Sequence, residues 1–222
     1  MRIPSYIILA ATLATQAAAE SKVIGPFGLR ITKKTTSGGG ARSTDSDIDG
    51  WAWGCHAGAA TQGLCYAAGS GAVSGSVYEF YYNYTYDDAY TYPGYISYLF
   101  PYQDSNGDLV KLASFLQLYP SWASNVNLAL IPPGMDGGTL ISLDTDTGLF
   151  YMSSPYDDTH ANATPPSPGP SRNISNFHIC YQWTGGYWYR SLAWVSGFEG
   201  AAPQNPSCEP VNLGIESLAA SS

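Results

Sequence analysis

Glycine and proline recur so often along this chain, 24 and 15 times in 222 residues, that apolar side chains keep helical 3.6-residue spacing for no more than about ten residues at a stretch. A core built under that constraint has to come from strands. Period-two alternation is frequent: Phe27, Leu29 and Ile31 alternate with Gly28 and Arg30, Val126, Leu128 and Leu130 with Asn127 and Ala129, and Val211, Leu213 and Ile215 with Asn212 and Glu216. Each set predicts a strand with one buried face. Residues 140–143 and 149–152 flank Asp144-Thr145-Asp146-Thr147-Gly148, and residues 177–183 and 187–195 flank Thr184-Gly185-Gly186, so two hairpins are expected. Short strands at this spacing predict an all-β fold, a single antiparallel β-barrel or β-sandwich domain, with a β-trefoil as the alternative. Residues 36–47 (TSGGGARSTDSD) and the stretch 157–173, with Pro165, Pro166, Pro168 and Pro170, read as exposed loops.

The first nineteen residues do not belong to that fold. Arg2, the apolar run from Tyr6 to Ala14 and the small residues Ala17-Ala18-Ala19 have the order of a secretory signal peptide, which leaves residues 20–222 as one secreted all-β domain. The apolar run is shorter than the roughly 20 residues a membrane span needs, and no later stretch reaches that length, so no membrane partner is expected. Outside the cell, Cys55, Cys65, Cys180 and Cys208 read as two disulfides rather than a zinc site, since no C-x2-C pair exists. Three connectivities are possible. Cys55–Cys65 with Cys180–Cys208 is favoured because each pair is close in sequence. No metal or cofactor is expected.

Charge narrows the partners further. Past the leader, eight basic residues face 17 acidic ones, and five of the eight (Lys22, Arg30, Lys33, Lys34, Arg42) precede residue 43. Nucleic acid and anionic lipid bind through basic patches, which leaves neither as an expected partner. Three sequons suit the secretory compartment: Asn83-Tyr84-Thr85, Asn162-Ala163-Thr164 and Asn173-Ile174-Ser175. The first lies in the oddest stretch of the chain, residues 78–102, which holds ten of the 18 tyrosines. Aromatic rings stack on the apolar faces of sugars, so Tyr81, Tyr84, Tyr90 and Tyr95 are carbohydrate-binding candidates. Tyrosine also suits half-buried strands, and that structural reading carries more weight.

Signals for catalysis are weak. Asp45-x-Asp47-x-Asp49-Gly50 copies the opening of a calcium loop, but the twelfth position is His56 instead of a bidentate glutamate. Asp146-Thr147-Gly148 has no second copy to complete an aspartic dyad. Glycoside hydrolysis needs two facing carboxylates, for which Glu79, Glu199, Asp87-Asp88 and Asp157-Asp158 are the candidates. His56, His160 and His178 belong to no H-E-x-x-H motif, and no G-x-S-x-G elbow is present. No catalytic residue is assigned.

Several segments together are similar to a family of secreted fungal proteins that share a domain of unknown function: Phe27-Gly28-Leu29, Cys55-His56-Ala57-Gly58-Ala59-Ala60, Asn125-Val126-Asn127-Leu128, Phe177-His178-Ile179-Cys180 and PQNPSCEPVNL at 203–213. The last forty residues also resemble, more faintly, phialide-associated cell-wall proteins of filamentous fungi. Residues 78–102 depart from both patterns. The resemblance implies a secreted, disulfide-stabilised, N-glycosylated protein without catalysis, acting at the fungal cell wall or another extracellular surface. Its expected partner is cell-wall polysaccharide or a host surface. A carbohydrate-binding module is the alternative and a secreted glycoside hydrolase the second alternative.

Overall fold

The computed structural model describes residues 20–34, 48–58, 60–86, 93–134, 137–156, 162–163, 166–167 and 169–219. Residues 1–19, expected to be a leader, residues 36–47, expected to be a loop, Tyr90 and the acidic pairs at 87–88 and 157–158 therefore lie outside the described residues. Strands account for nearly all regular structure. In chain order they are β1 (Glu20–Lys33), β2 (Asp49–His56), β3 (Gln62–Ala68), β4 (Phe80–Tyr86), β5 (Tyr95–Gln103), β6 (Leu109–Phe115), β7 (Gln117–Tyr119) and β8 (Val126–Ile131). There follow β9 (Ser142–Leu143), β10 (Phe150–Ser154), β11 (Asn162–Ala163), β12 (Pro166–Ser167), β13 (Arg172–Ile174), β14 (Phe177–Thr184), β15 (Tyr187–Val195) and β16 (Glu209–Glu216). One 3₁₀ turn, Ser76–Tyr78, precedes β4.

The pairing pattern closes on itself. Strand β1 pairs with β2, β2 with β3, β3 with β15, β15 with β14, β14 with β16, and β16 returns to β1, all antiparallel. This is a six-stranded barrel, and β8 pairs with both β3 and β15 where those two meet in a single residue pair, Ser191 with Cys65. Closure removes the unpaired edges that a sandwich would leave. The barrel strands come from the two ends of the described chain and not from three repeats along it, so the trefoil alternative does not apply. Inward side chains follow the predicted alternation in β1 and β16: Phe27, Leu29, Ile31, Val211 and Leu213 are all buried, together with Leu64, Phe177, Ile179 and Leu192.

One alternation is corrected. In β8 the side chains that join the barrel core are Ala129 and Ile131, while Leu128 and Leu130 are only half-buried. Three neighbours share this strand: β15 pairs along 126–128, β7 along 128–130 and β3 along 130–131, and the face that carries Ala129 and Ile131 is the one that meets the core.

A second sheet grows from the other half of β1. Its register shifts between Ile24 and Phe27, next to the cis Gly25–Pro26 bond, and residues 20–27 pair with β4 instead of β2. Strands β5 and β6 extend that wing. The short ladder β13–β10–β9 continues toward the barrel through a bridge between Leu149 and Gly214.

Outside the barrel wall, Arg30 ties β1 to both neighbours. It forms an ion pair with Asp49 of β2 and another with Glu216 of β16 (3.1 Å), and its guanidinium lies 4.9 Å from the Trp51 ring centroid. Trp51 is buried because Gly28 leaves room for it: a Cβ there would approach the indole to 2.5 Å. The indole Nε1 donates to the Gly71 carbonyl (2.9 Å).

Two disulfides brace the outer surface. Cys55–Cys65 joins β2 to β3, and Cys180–Cys208 joins β14 to the loop before β16, with Cα–Cα distances of 5.8 and 4.1 Å. The second bridge sits in its own small core with Val126, Ala193, Val195 and Ala201. In the chain-entropy view each bridge stabilises by about 3 to 4 kcal/mol, more for the longer loop. Replacing Cys180 and Cys208 together with alanine should lower the unfolding free energy by at least as much as replacing Cys55 and Cys65. Denaturant titration of the unreduced variants checks the order.

Candidate functional site

The tyrosine-rich stretch becomes β4 and β5, and strand alternation divides its rings between two faces. Phe80, Tyr82 and Tyr84 share the inner face with Tyr98, which sits directly opposite Phe80. Tyr82 is buried, stacks on Tyr84 (centroids 5.4 Å apart) and meets Phe150 edge-on (5.6 Å), and its hydroxyl donates to the Ile141 carbonyl (2.9 Å). Burial pushes the Tyr82 phenol up to about 12. These rings are core.

Tyr81 and Tyr95 point to the opposite, outer face, Tyr81 two residues before Asn83 on β4 and Tyr95 directly across from it on β5. The four carbohydrate candidates are therefore not brought together: Tyr84 is on the far side of the sheet from Tyr81 and Tyr95, and Tyr90 is outside the described residues. Tyr95 packs edge-on against Phe115 (5.7 Å) and borders a shallow cavity of about 350 Å³ that is also lined by Gln117, Leu118 and residues 137–139. Its lining offers a threonine hydroxyl already accepting from the Leu118 N–H (2.9 Å).

Among the described residues, several carboxylates are engaged by neighbours. Glu199 forms an ion pair with Lys34 and accepts from the Ser175 N–H (2.7 Å). Asp49 pairs with Arg30, and Asp144 caps its own turn by accepting from the Asp146 and Thr147 N–H groups (3.0 and 3.4 Å). The Thr147 hydroxyl first, and then the Asp146 N–H, hold the Asp144 carboxyl below its ordinary range. Among the described residues no group of three or more His, Cys, Asp or Glu side chains is placed to hold a metal ion. No described helix is long and apolar enough to cross a membrane.

A different aromatic cluster stands out, on the β14–β15 hairpin. Tyr181, Trp183 and Trp188 are 54%, 57% and 66% exposed on one face, and Tyr187, paired with Thr184 on the opposite face, is 60% exposed. Trp183 lies directly opposite Trp188, with ring centroids 5.6 Å apart and planes at 65°. The register explains their composition. Phe177, Ile179, Tyr181 and Trp183 share one face of β14, and Trp194, Leu192, Arg190 and Trp188 share the matching face of β15. The first residues of each series fill the barrel core, and the later ones continue the same apolar phase where no opposing wall covers them. Beside them Arg190 forms an ion pair with Glu209 (2.8 Å) and lies 4.9 Å from the Tyr66 ring.

The hairpin is a firm support. Cys180 anchors it to Cys208, Ser191 Oγ donates to Gln182 Oε1 across the strands (3.0 Å), and the Tyr181 N–H donates to Ser207 Oγ (3.0 Å). Exposed rings on a rigid two-stranded ribbon lose little freedom on meeting a ligand. Sequence reasoning notes the hairpin but not its exposure; the available signal is two tryptophans in the inward phase immediately flanking a tight turn.

His178, on the outward face of β14, is buried and its Nδ1 is 3.0 Å from the Asn176 carbonyl oxygen. Burial holds its pKa below the ordinary histidine range, opposed by the Asn176 carbonyl, deepened by Lys34 and opposed again by Glu199. No family model, no curated protein and no solved structure matches this chain.

The depressed His178 pKa fixes a direction for acid stability. As pH falls, the unfolded chain takes up the proton first, so the stability is complete above the ordinary histidine pKa of about 6.5 and is lost from there down through the lower folded value. His178→Gln should flatten the decline in unfolding midpoint between about pH 7 and pH 5. Parallel denaturant titrations of both proteins test this.

Proposed function

We propose that this chain is a secreted, N-glycosylated protein without catalytic activity that acts at a fungal cell wall or another extracellular surface, and that it binds polysaccharide there through the β14–β15 hairpin. The observation that carries the reading is the exposed Trp183–Trp188 pair, with Tyr181 two residues from Trp183 on the same face of a disulfide-anchored ribbon. A folded protein keeps several large aromatic rings in water at one place when something else covers them. Sugars supply that cover, because their axial C–H faces lie against aromatic rings while their hydroxyls stay hydrated.

The geometry favours a chain over a flat surface. Two indoles at 65° form a bent seat, which suits a single twisted glucan strand, whereas a crystalline chitin face needs coplanar rings. Arg190 and Glu209 next to the seat provide donors and acceptors for hydroxyl groups. The acidic excess past the leader disfavours nucleic acid and anionic membranes. Two disulfides suit an oxidising compartment, and the resemblance to secreted fungal and cell-wall proteins points to the same place.

The full chain, secreted from a eukaryotic host, should be retained on insoluble β-glucan more than on chitin. Trp183→Ala and Trp188→Ala should each weaken retention by about ten-fold, with the thermal midpoint lowered by only a few degrees through loss of the cross-strand ring pair. Tyr84→Ala should lower the midpoint without weakening retention. Unchanged retention in both tryptophan variants moves binding away from the hairpin, and no retention by a folded protein ends the sugar-binding reading.

A further inference from the structure

Asn83 occupies the outer face of the wing in the middle of an aromatic and aliphatic patch. Tyr81 and Thr85 are two residues away on the same strand and the same face. Directly opposite stand Val23 on β1 and Tyr95 on β5. Val23 is 60% exposed, although it lies in the interior of a paired strand. The Tyr81 ring rests against Gly25, where a Cβ would approach it to 2.8 Å, so the missing side chain lets this ring lie close to the sheet. Tyr95 is held by Phe115.

The side-chain amide of Asn83 is itself oriented. Its Nδ2 donates to Ser97 Oγ (2.6 Å), and Ser97 is buried. A primary amide has two hydrogens; this bond uses one and leaves the other to be replaced. The other sequons lack this setting. Asn173 lies opposite Ser153 on β10, with Ser171 and Ser175 two residues away, and the aromatic side chain on its face, Tyr151, stands diagonally across on β10 instead of flanking it on both sides. The Asn162 side chain lies outside the described residues.

We infer that Asn83 carries an N-linked glycan whose first N-acetylglucosamine is part of the folded structure, seated on the Tyr81 and Tyr95 rings and covering Val23. The chemistry needs the oligosaccharide donor of the secretory pathway, a polyprenyl diphosphate sugar. The amide nitrogen forms a bond to C1 of the sugar, the bond from C1 to the diphosphate oxygen breaks, the lipid diphosphate leaves, and the amide gives up one proton. The remaining N–H keeps the Ser97 bond. The sugar ring then projects outward between two aromatic side chains that flank the attachment point, which is the contact such rings make with apolar sugar faces. This site is independent of the hairpin and takes a covalent sugar instead of a free polysaccharide.

The test uses the full chain from a eukaryotic secretory host, with site occupancy read by peptide mass spectrometry. Asn83 should be occupied. Trimming each glycan to a single N-acetylglucosamine should leave the thermal midpoint unchanged, and removing that last sugar with an amidase should lower it by about 2 to 4 °C. The drop should vanish in the Tyr81→Ala, Tyr95→Ala double variant. A drop that persists there comes from the asparagine-to-aspartate conversion and overturns the inference, as do an unoccupied Asn83 or no drop at all. If the double variant does not fold, the trimmed wild-type protein decides: ring currents should shift the first sugar's protons upfield in its NMR spectrum, and ordinary solution shifts would overturn the seat.

Discussion

Backbone pairing along both edges of β1 is the constraint on which the rest of the structure depends. Residues 28–33 are hydrogen-bonded to β16 on one side, and residues 29–32 to β2 on the other, which closes the barrel. Residues 20–27 leave that ring and seed the wing through β4. One strand therefore decides where both sheets stand, and the fixtures around it reflect this. Gly28 admits Trp51, and Arg30 clamps β2 and β16 from outside. With half-exposed carboxylate partners, the Arg30 pairs individually contribute little, about 1 kcal/mol or less each; their effect is to fix register, helped by the stacked indole.

The lopsided charge gains a structural meaning from the same strand. Lys22 lies 4.2 Å from the Tyr86 ring, Arg30 joins Asp49 and Glu216, Lys34 joins Glu199, and Arg190 joins Glu209. Basic side chains that look in sequence like an N-terminal positive segment are engaged in pinning β1 and its surroundings. Each of these ion pairs also engages an acid, and the chain keeps a net negative charge of 8.

Much of the barrel was legible because its strands obey a simple rule. In β1 and β16 one face is core and the other is not, so Phe27, Leu29, Ile31, Val211 and Leu213 announce themselves. The expected phase fails at β8, where three different partners share six residues and the alternation is inverted, with Ala129 and Ile131 buried and Leu128 and Leu130 half-buried. The site was less legible, for two reasons. Tyrosine density between residues 78 and 102 looks like a binding face, but alternation sends Tyr82 and Tyr84 inward and Tyr81 and Tyr95 outward. Conversely, Trp183 and Trp188 continue the phase of Phe177 and Leu192, so periodicity marks them as core. Only the tertiary structure reveals that the opposing wall has ended.

The first and last strands of the described chain are neighbours in the barrel, with Ile31 facing Leu213. During synthesis the wing strands β4 to β6 emerge long before β16, so the wing has its partners while the barrel still lacks a stave. Ring closure must wait for nearly the whole polypeptide to clear the ribosome, and contacts this distant in sequence form slowly. Until then the inner faces of β1 and β2 are open to chaperones, and the short-range Cys55–Cys65 bridge can form well before Cys208 arrives to meet Cys180.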